Sequence, residues 1–171
     1  KKHKLKIASI EDLISYRLKN EKFILNTSNK LIKIRKFGPL KLHVFKNKLD
    51  GLEHYALTKG KPNIKKTTRL RVISIKVTKG IENIKDQLFF KSIEYLNKHT
   101  NFALIIIKNQ ISKNKKDDLV KSTNILRYYG IGAQIIKDLK IKNMILVSRS
   151  KKKIIGLDGY GIKITKQEII K

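Results

Sequence analysis

Residues 31–58 read LIKIRKFGPLKLHVFKNKLDGLEHYALT, and apolar residues alternate with polar ones in three successive segments of this stretch. Such a period of two is typical of β-strands that bury one face. The two breaks between the segments, at 37–39 and 47–51, contain the glycine, proline, asparagine and aspartate that form turns. Because each strand follows the previous one after a short turn, the stretch predicts an antiparallel meander.

The flanking sequence adds helices and further strands. Ser9-Ile10-Glu11-Asp12 resembles a capping box, and the apolar spacing after it predicts a helix over about 10–22. Downstream, the patterns predict a strand at 69–77, a helix at 81–96, a buried strand at 102–107, a charged loop at 108–118, a helix at 131–139, a strand at 144–147, a helical turn at 152–157 and a strand at 162–165. We therefore expect an α+β domain, with an antiparallel N-terminal meander followed by alternating helices and strands.

The charge of the chain is extreme. Its 171 residues include 41 Lys and Arg against 13 Asp and Glu, which gives a formal net charge of +28. A basic surface is typical of nucleic-acid-binding proteins. Here, however, Lys contributes 35 of the 41 cations and is spread along the whole chain, together with 28 Ile and 12 Asn, which also have AT-rich codons. Codon composition therefore explains the charge better than selection for nucleic-acid binding.

The composition also limits the compartment and the chemistry. The sequence contains no cysteine, so it excludes disulfides, thiolate metal sites and cysteine nucleophiles. Its longest apolar run, 102–107, is far shorter than the ~18 residues of a membrane span. We expect a cytoplasmic domain without membrane contact, and the missing initial Met suggests a fragment of a longer product.

Several segments together resemble GTP cyclohydrolase II. The matching segments are ILRYYGIGAQII at 125–136, LVSRSKKK at 146–153, GLDGYGIKI at 156–164, KLDGLEHYALTKG at 48–60 and RLRVIS at 69–74. Residues 1–18 look like the end of 3,4-dihydroxy-2-butanone 4-phosphate synthase, the enzyme often fused ahead of the cyclohydrolase. The resemblance implies a tail or linker over 1–22 and a GTP cyclohydrolase II-like domain over 23–171.

The family's chemistry requires groups that this sequence lacks. The family enzyme holds zinc on three cysteine thiolates, and a water bound to that zinc opens the imidazole ring of GTP. This chain has no cysteine, and its four histidines are scattered without metal-ligand spacing. The family's proton acceptor, an Asp, corresponds to Ile125, which cannot take a proton. We therefore expect no zinc and no other cofactor.

Other family positions are retained. Arg127 corresponds to the Arg that forms the covalent intermediate, and Tyr129 also matches. Arg71 and Ser74 match the nucleotide-contact segment, although Ile73 and Ile75 replace its His and Glu. Two further matches to positions that contact GTP are Ser148 and Lys153. We expect Arg71, Arg127, Ser148 and Lys153 to line one cleft, where like charges repel and recruit an anion or turn to solvent.

The sequence therefore predicts a catalytically degenerate GTP cyclohydrolase II-like domain of a riboflavin biosynthesis protein. Its expected role is structural, dimerising or regulatory, with residual binding of GTP or an inorganic anion. The expected partners are a second copy of the chain and a synthase domain in the same polypeptide.

Two alternatives remain open. The first is an active hydrolase with an altered, non-cysteine site, for which the acidic candidates near the motif are Asp117, Asp118, Asp138 and Asp158. The second is a basic nucleic-acid-binding module, which rests on charge alone.

Overall fold

The computed structural model describes residues 12–13, 16–17, 20–34, 37–62, 66–78, 80–109, 130–151, 157 and 160–170. The strands are β1 (Ile24–Lys33), β2 (Pro39–Asn47), β3 (Glu53–Lys59), β4 (Thr68–Ile75), β5 (Phe102–Lys108), β6 (Asn143–Ser148) and β7 (Lys163–Ile169). Helix α1 spans Gln87–Leu96, and the described part of helix α2 spans 130–138. No helix of the described part is long and apolar enough to cross a membrane.

The seven strands form one mixed sheet in the order β1-β2-β3-β5-β4-β6-β7. β1, β2, β3 and β5 pair antiparallel in succession, whereas β5, β4, β6 and β7 run parallel. The predicted mixture of strands and helices is confirmed, and so is the meander for its three strands. The meander covers only one half of the sheet. In the other half, crossover connections through α1 and α2 produce parallel pairs.

The core has two layers, one on each face of the sheet. On β5, Phe102, Leu104 and Ile106 belong to one cluster, whereas Ala103, Ile105 and Ile107 belong to the other. This division follows from the alternation of side chains along a strand. The first cluster includes α1 through Phe89, Ile93 and Leu96, and the second includes α2 through Ile131, Ile135 and Ile136. The described sheet therefore has a helix on each face.

Three element boundaries differ from the sequence prediction. β1 begins at Ile24 instead of near 31, and β7 continues to Ile169 instead of ending near 165. The single helix predicted over 81–96 is a 3-10 turn, Ile81–Asn83, followed by α1. The division has a local cause, because the Asp86 side chain caps α1 by accepting a hydrogen bond from the N–H of Phe89 (3.0 Å).

The remaining predictions fall partly on undescribed residues. Residues 12–13, 16–17 and 20 are helical, in agreement with the helix predicted over 10–22. The charged loop lies outside the described residues except for its first two positions, 108 and 109, and so does the turn at 152–157 except for Leu157. The proposed boundary between 22 and 23 stays a prediction.

Candidate functional site

The candidate site is a crevice between two neighbouring parallel strands. β4 and β6 pair at Thr68 with Met144, at Arg69 with Ile145 and at Leu70 with Leu146. Both strands continue beyond these pairs, to Ile75 and Ser148, without further pairing to each other among the described residues. The two strands therefore part at their carboxyl ends and leave a gap in the sheet.

The position of this crevice follows a general rule for parallel sheets. The crossover from β4 leads through α1 to β5 on one side, whereas the chain continues from β6 to β7 on the other side. Such a reversal of direction leaves a crevice outside the carboxyl ends of the strands, where ligands of open α/β sheets commonly bind. The sheet topology alone therefore marks this crevice as a candidate binding site.

The crevice holds a cavity of about 600 Å³, which is within the range of small-molecule pockets. The apolar and glycine residues that line it come from the strands, α1, α2 and the segment near 157: Leu70, Val72, Ile73, Leu88, Ile107, Gly132, Ala133, Ile136, Met144, Leu146, Val147 and Leu157. The polar lining residues are Arg71, Ser74, Ser148, Arg149 and Ser150.

Arg71 is the principal polar group of this cavity. Its side chain lies on β4 and only 4% of the residue is exposed, yet Nε and Nη1 have no hydrogen-bond partner among the described residues. Burial lowers the pKa of Arg71, and the positive charge of Arg149 lowers it further. A buried cation with unsatisfied donors is costly, and the guanidinium keeps its proton at physiological pH. An anion in the cavity would relieve this cost.

The other polar residues of the cavity give weaker evidence for a bound ligand than Arg71 does. Ser74 is exposed and Ser148 is half-buried, and the Ser148 hydroxyl donates to the carbonyl oxygen of Ser150 at 2.7 Å. A bound anion could accept a hydrogen bond from the Ser148 hydroxyl only if this bond to Ser150 were broken. Arg149 is exposed at the rim. The resemblance did not indicate Arg149, although its charge beside Ser148 was visible in the sequence.

The structure thus brings three of the six predicted site residues to one cavity. Arg71, Ser74 and Ser148 line it together. Arg127, Tyr129 and Lys153 lie outside the described residues.

The acidic residues considered for an altered hydrolase are not found in this lining. Asp138 is at the end of the described part of α2, where its carboxylate accepts hydrogen bonds from Lys22 (3.3 Å) and Asn26 (3.5 Å). Asp117, Asp118 and Asp158 lie outside the described residues. Among the described lining residues, none is an aspartate, glutamate, histidine or cysteine.

The donor atoms of this chain do not fit the zinc site that the resemblance implies. The chain has no cysteine. His43 Nε2 is 3.0 Å from Thr58 Oγ1, His54 Nδ1 accepts from the N–H of Lys108, and His99 packs edge-on against Tyr95. The part of the chain that the structure describes has no group of three His, Asp or Glu placed to hold a metal ion.

Gln134 of the GIGAQ segment has a structural contact. Its Oε1 accepts from the N–H of Phe23 (3.0 Å), and its Nε2 donates to the carbonyl oxygen of Glu21 (2.8 Å). These bonds hold the start of the first strand against α2.

Comparison with known proteins places these observations in a family. Residues 90–168 match the GTP cyclohydrolase II family. The riboflavin biosynthesis protein RibBA of Aquifex aeolicus (strain VF5) is 31% identical over 196 residues, covering 100% of this chain and 48% of that protein. The monofunctional riboflavin biosynthesis protein RIBA 2, chloroplastic, of Arabidopsis thaliana is 30% identical over 184 residues, covering 94% of this chain and 37% of that protein.

A solved structure is similar over almost the whole chain. The crystal structure of RibBX, a two domain 3,4-dihydroxy-2-butanone 4-phosphate synthase from A. baumannii, has a TM-score of 0.68 and 25% sequence identity, and the match covers 99% of this chain and 46% of that chain. The chain thus spans less than half the length of these relatives. The matched segment, the similar relatives and the shared fold agree: residues 90–168 belong to the GTP cyclohydrolase II family, and the chain as a whole is similar to riboflavin biosynthesis proteins.

Proposed function

We propose that this chain is a catalytically degenerate GTP cyclohydrolase II-like domain that serves riboflavin biosynthesis and retains an anion site. One observation carries the proposal. The cavity keeps a buried Arg71 whose Nε and Nη1 have no partner among the described residues, while its described lining has no side chain that could act as a general base or bind a catalytic metal.

Ring opening of GTP needs an activated water. A positioned base commonly contributes about 10²–10⁴-fold to such a reaction, and a bound metal can generate the nucleophile at neutral pH. Serine hydroxyls and guanidinium groups, which form the polar lining among the described residues, do neither at physiological pH. The loss of cysteine and the Ile125 position in the family motif support the same conclusion.

We further propose that the domain supports a synthase half in the same polypeptide. The support is the similarity over 99% of this chain to a protein described as a two domain synthase. Stabilisation of that half, dimerisation or regulation would all be compatible with a domain that has lost its own reaction. Homodimerisation and a cytoplasmic location stay predictions.

The test of the retained site is calorimetric titration of the purified chain with GTP, combined with metal analysis. We expect weak binding that is lost in Arg71→Met, and no stoichiometric zinc. Lys46→Met is the matched control, because it removes one positive charge from an exposed position of β2 outside the cavity lining. Stoichiometric zinc, or tight GTP binding unchanged by Arg71→Met, would contradict the proposal.

A further inference from the structure

Resting on the proposed anion site, we infer that the cavity is coupled through α2 to the junction ahead of β1, with Gln134 as the positioning residue. The junction is the segment 21–23, and the predicted boundary between the synthase-like tail and the domain falls inside it, between 22 and 23. A phosphate group in the cavity stabilises the contact between α2 and the junction. Occupancy of the cavity then determines how firmly the tail is held to the domain.

Gln134 binds the backbone on both sides of the predicted boundary. Its Oε1 accepts a hydrogen bond from the N–H of Phe23 at 3.0 Å, and its Nε2 donates to the carbonyl oxygen of Glu21 at 2.8 Å. Gln134 and Phe23 are both buried. Because buried backbone groups need hydrogen-bond partners, the junction and α2 keep their relative position as long as both bonds are intact.

Three further contacts involve the junction. Lys22 Nζ forms an ion pair with Asp138 Oδ1 at 3.3 Å, which is a second connection to α2. The Arg17 guanidinium of the tail lies over the Phe23 ring, 5.5 Å from its centroid. The N–H of Lys48, in the turn after β2, donates to the Phe23 carbonyl oxygen at 2.8 Å. The junction is therefore an ordered connection between the tail and the domain.

Helix α2 separates the junction from the cavity. An α-helix turns by about 100° per residue, so residues two positions apart lie on roughly opposite sides. Gly132 and Ile136 line the cavity, and Gln134 is two positions from each of them. The position of α2 therefore determines both the cavity wall and the geometry of the Gln134 bonds. A ligand that binds best with this wall in place favours the position of α2 at which those bonds form.

The coupling must act in both directions. If phosphate strengthens the contact between α2 and the junction, then loss of that contact weakens phosphate binding by the same factor. Coupling between two sites typically changes an affinity by about 5–150-fold. Gln134→Met keeps the approximate length of the side chain but can form neither hydrogen bond. We expect this substitution to weaken phosphate binding by about fivefold or more.

The first experiment is calorimetric titration of the full chain with inorganic phosphate at one ionic strength. Gln134→Met should bind phosphate about fivefold or more weakly, and Arg71→Met should not bind it. Thr58→Val is the matched control, because it also removes a buried hydrogen bond, the one between Thr58 Oγ1 and His43 Nε2 (3.0 Å). Thr58 is on β3 and is not among the described lining residues, so this variant should bind phosphate as the unaltered chain does.

The second experiment needs no substitution in α2 and applies even if Gln134→Met does not fold. Hydrogen exchange at the Phe23 amide reports local opening of the junction. Phosphate should slow this exchange in the unaltered chain by about fivefold or more, and should not slow it in Arg71→Met. Exchange at the Gly51 amide, which donates to the Asn47 carbonyl oxygen in the turn between β2 and β3 (2.8 Å), should be unchanged by phosphate.

Each unfavourable outcome has a distinct meaning. Suppose that phosphate binds and Arg71→Met abolishes the binding, but Gln134→Met binds equally tightly and exchange at Phe23 does not change. That result would overturn this inference and leave the proposed anion site intact. Equal weakening by Thr58→Val would assign the effect to a general loss of stability, and would also overturn the inference. Phosphate binding that does not depend on Arg71 would contradict the anion site as well.

Discussion

Arg71 suits the binding of an anion, but its burial lowers the stability of the ligand-free chain. Its guanidinium is buried without partners for Nε and Nη1 among the described residues. A buried unsatisfied polar group costs about 1–3 kcal/mol, and more when it is charged. A residue retained at such a cost is typical of a binding site.

Replacing Arg71 by Met should therefore stabilise the ligand-free chain. The apolar side chain suits the neighbouring wall, and we expect Tm to rise by several degrees, because 1 kcal/mol corresponds to about 2–4 °C in a chain of this size. Added phosphate should raise the Tm of the unaltered chain but not that of Arg71→Met, since only the former binds the anion. Thermal unfolding with and without phosphate measures both effects. A lower Tm for Arg71→Met in the absence of phosphate would contradict this account of the residue.

His43 should make the stability of the domain dependent on pH. Burial lowers the pKa of His43 from 6.5 to about 4, with a further decrease from Lys41 and an opposing effect of Asp138. Below pH 6.5 the unfolded chain binds the proton more readily than the folded chain. Stability is therefore fully present above pH 6.5 and is lost as pH falls toward 4, by an amount on the order of 2–4 kcal/mol.

Denaturant unfolding at several pH values between 7 and 4 measures this loss. His43→Gln keeps a hydrogen-bonding group beside Thr58 Oγ1 but cannot take up a proton in this range, so its stability should fall less steeply with acid. The same slope in both proteins would assign the pH dependence to other groups.

At the scale of the elements, one polar cluster connects strand β7 to β4 and α1. Arg69 donates from Nε and Nη2 to both carboxylate oxygens of Glu168 (3.1 and 3.2 Å), and the Tyr95 hydroxyl donates to the same carboxylate (3.0 Å). These bonds join β4, β7 and α1. Such a bidentate and partly buried pair contributes more than an exposed one.

Glu168→Gln should accordingly destabilise the chain by about 1–3 kcal/mol, because it leaves Arg69 without its charged partner. The exposed pair Lys30–Glu82 provides the control, since its side chains are 57% and 59% exposed. Glu82→Gln should cost less than about 1 kcal/mol. Equal effects of the two substitutions in denaturant unfolding would show that the cluster does not hold β7.

The predictability of the elements depended on how they bury their side chains. The meander was recognisable because apolar and polar residues alternate along much of β2, and because turn residues separate it from β3, which is buried from His54 to Thr58. The start of β1 was missed because only Ile24 and Ile32 of its ten residues are buried. That segment forms a strand because it pairs with β2. In an exposed strand such pairing does not require apolar and polar residues to alternate, so the sequence does not reveal it.

The candidate site was predictable only in part. Resemblance identified Arg71, Ser74 and Ser148, and the fold brings them to one cavity. That Nε and Nη1 of the buried Arg71 have no partner in the described part of the chain could not be predicted, because it depends on where β4 and β6 stop pairing. That register is a property of the assembled sheet.

At the scale of the whole molecule, the proposed function combines a family fold and its cavity with the loss of the family's reaction. The sheet still opens at its topological switch point, and a cation still lies inside the opening. The chain has no cysteine, and the described lining has no acid or base in place of the lost groups. On the proposed function, binding and catalysis are separable because they use different residues.

The measurement that tests this claim most directly is incubation of the purified chain with GTP and zinc, followed by assay of formate and pyrophosphate. A competent GTP cyclohydrolase II assayed in parallel is the positive control. We expect no formate and no pyrophosphate above the protein-free background, at any zinc concentration and at any pH at which the chain is folded. Turnover near that of the competent enzyme would contradict it.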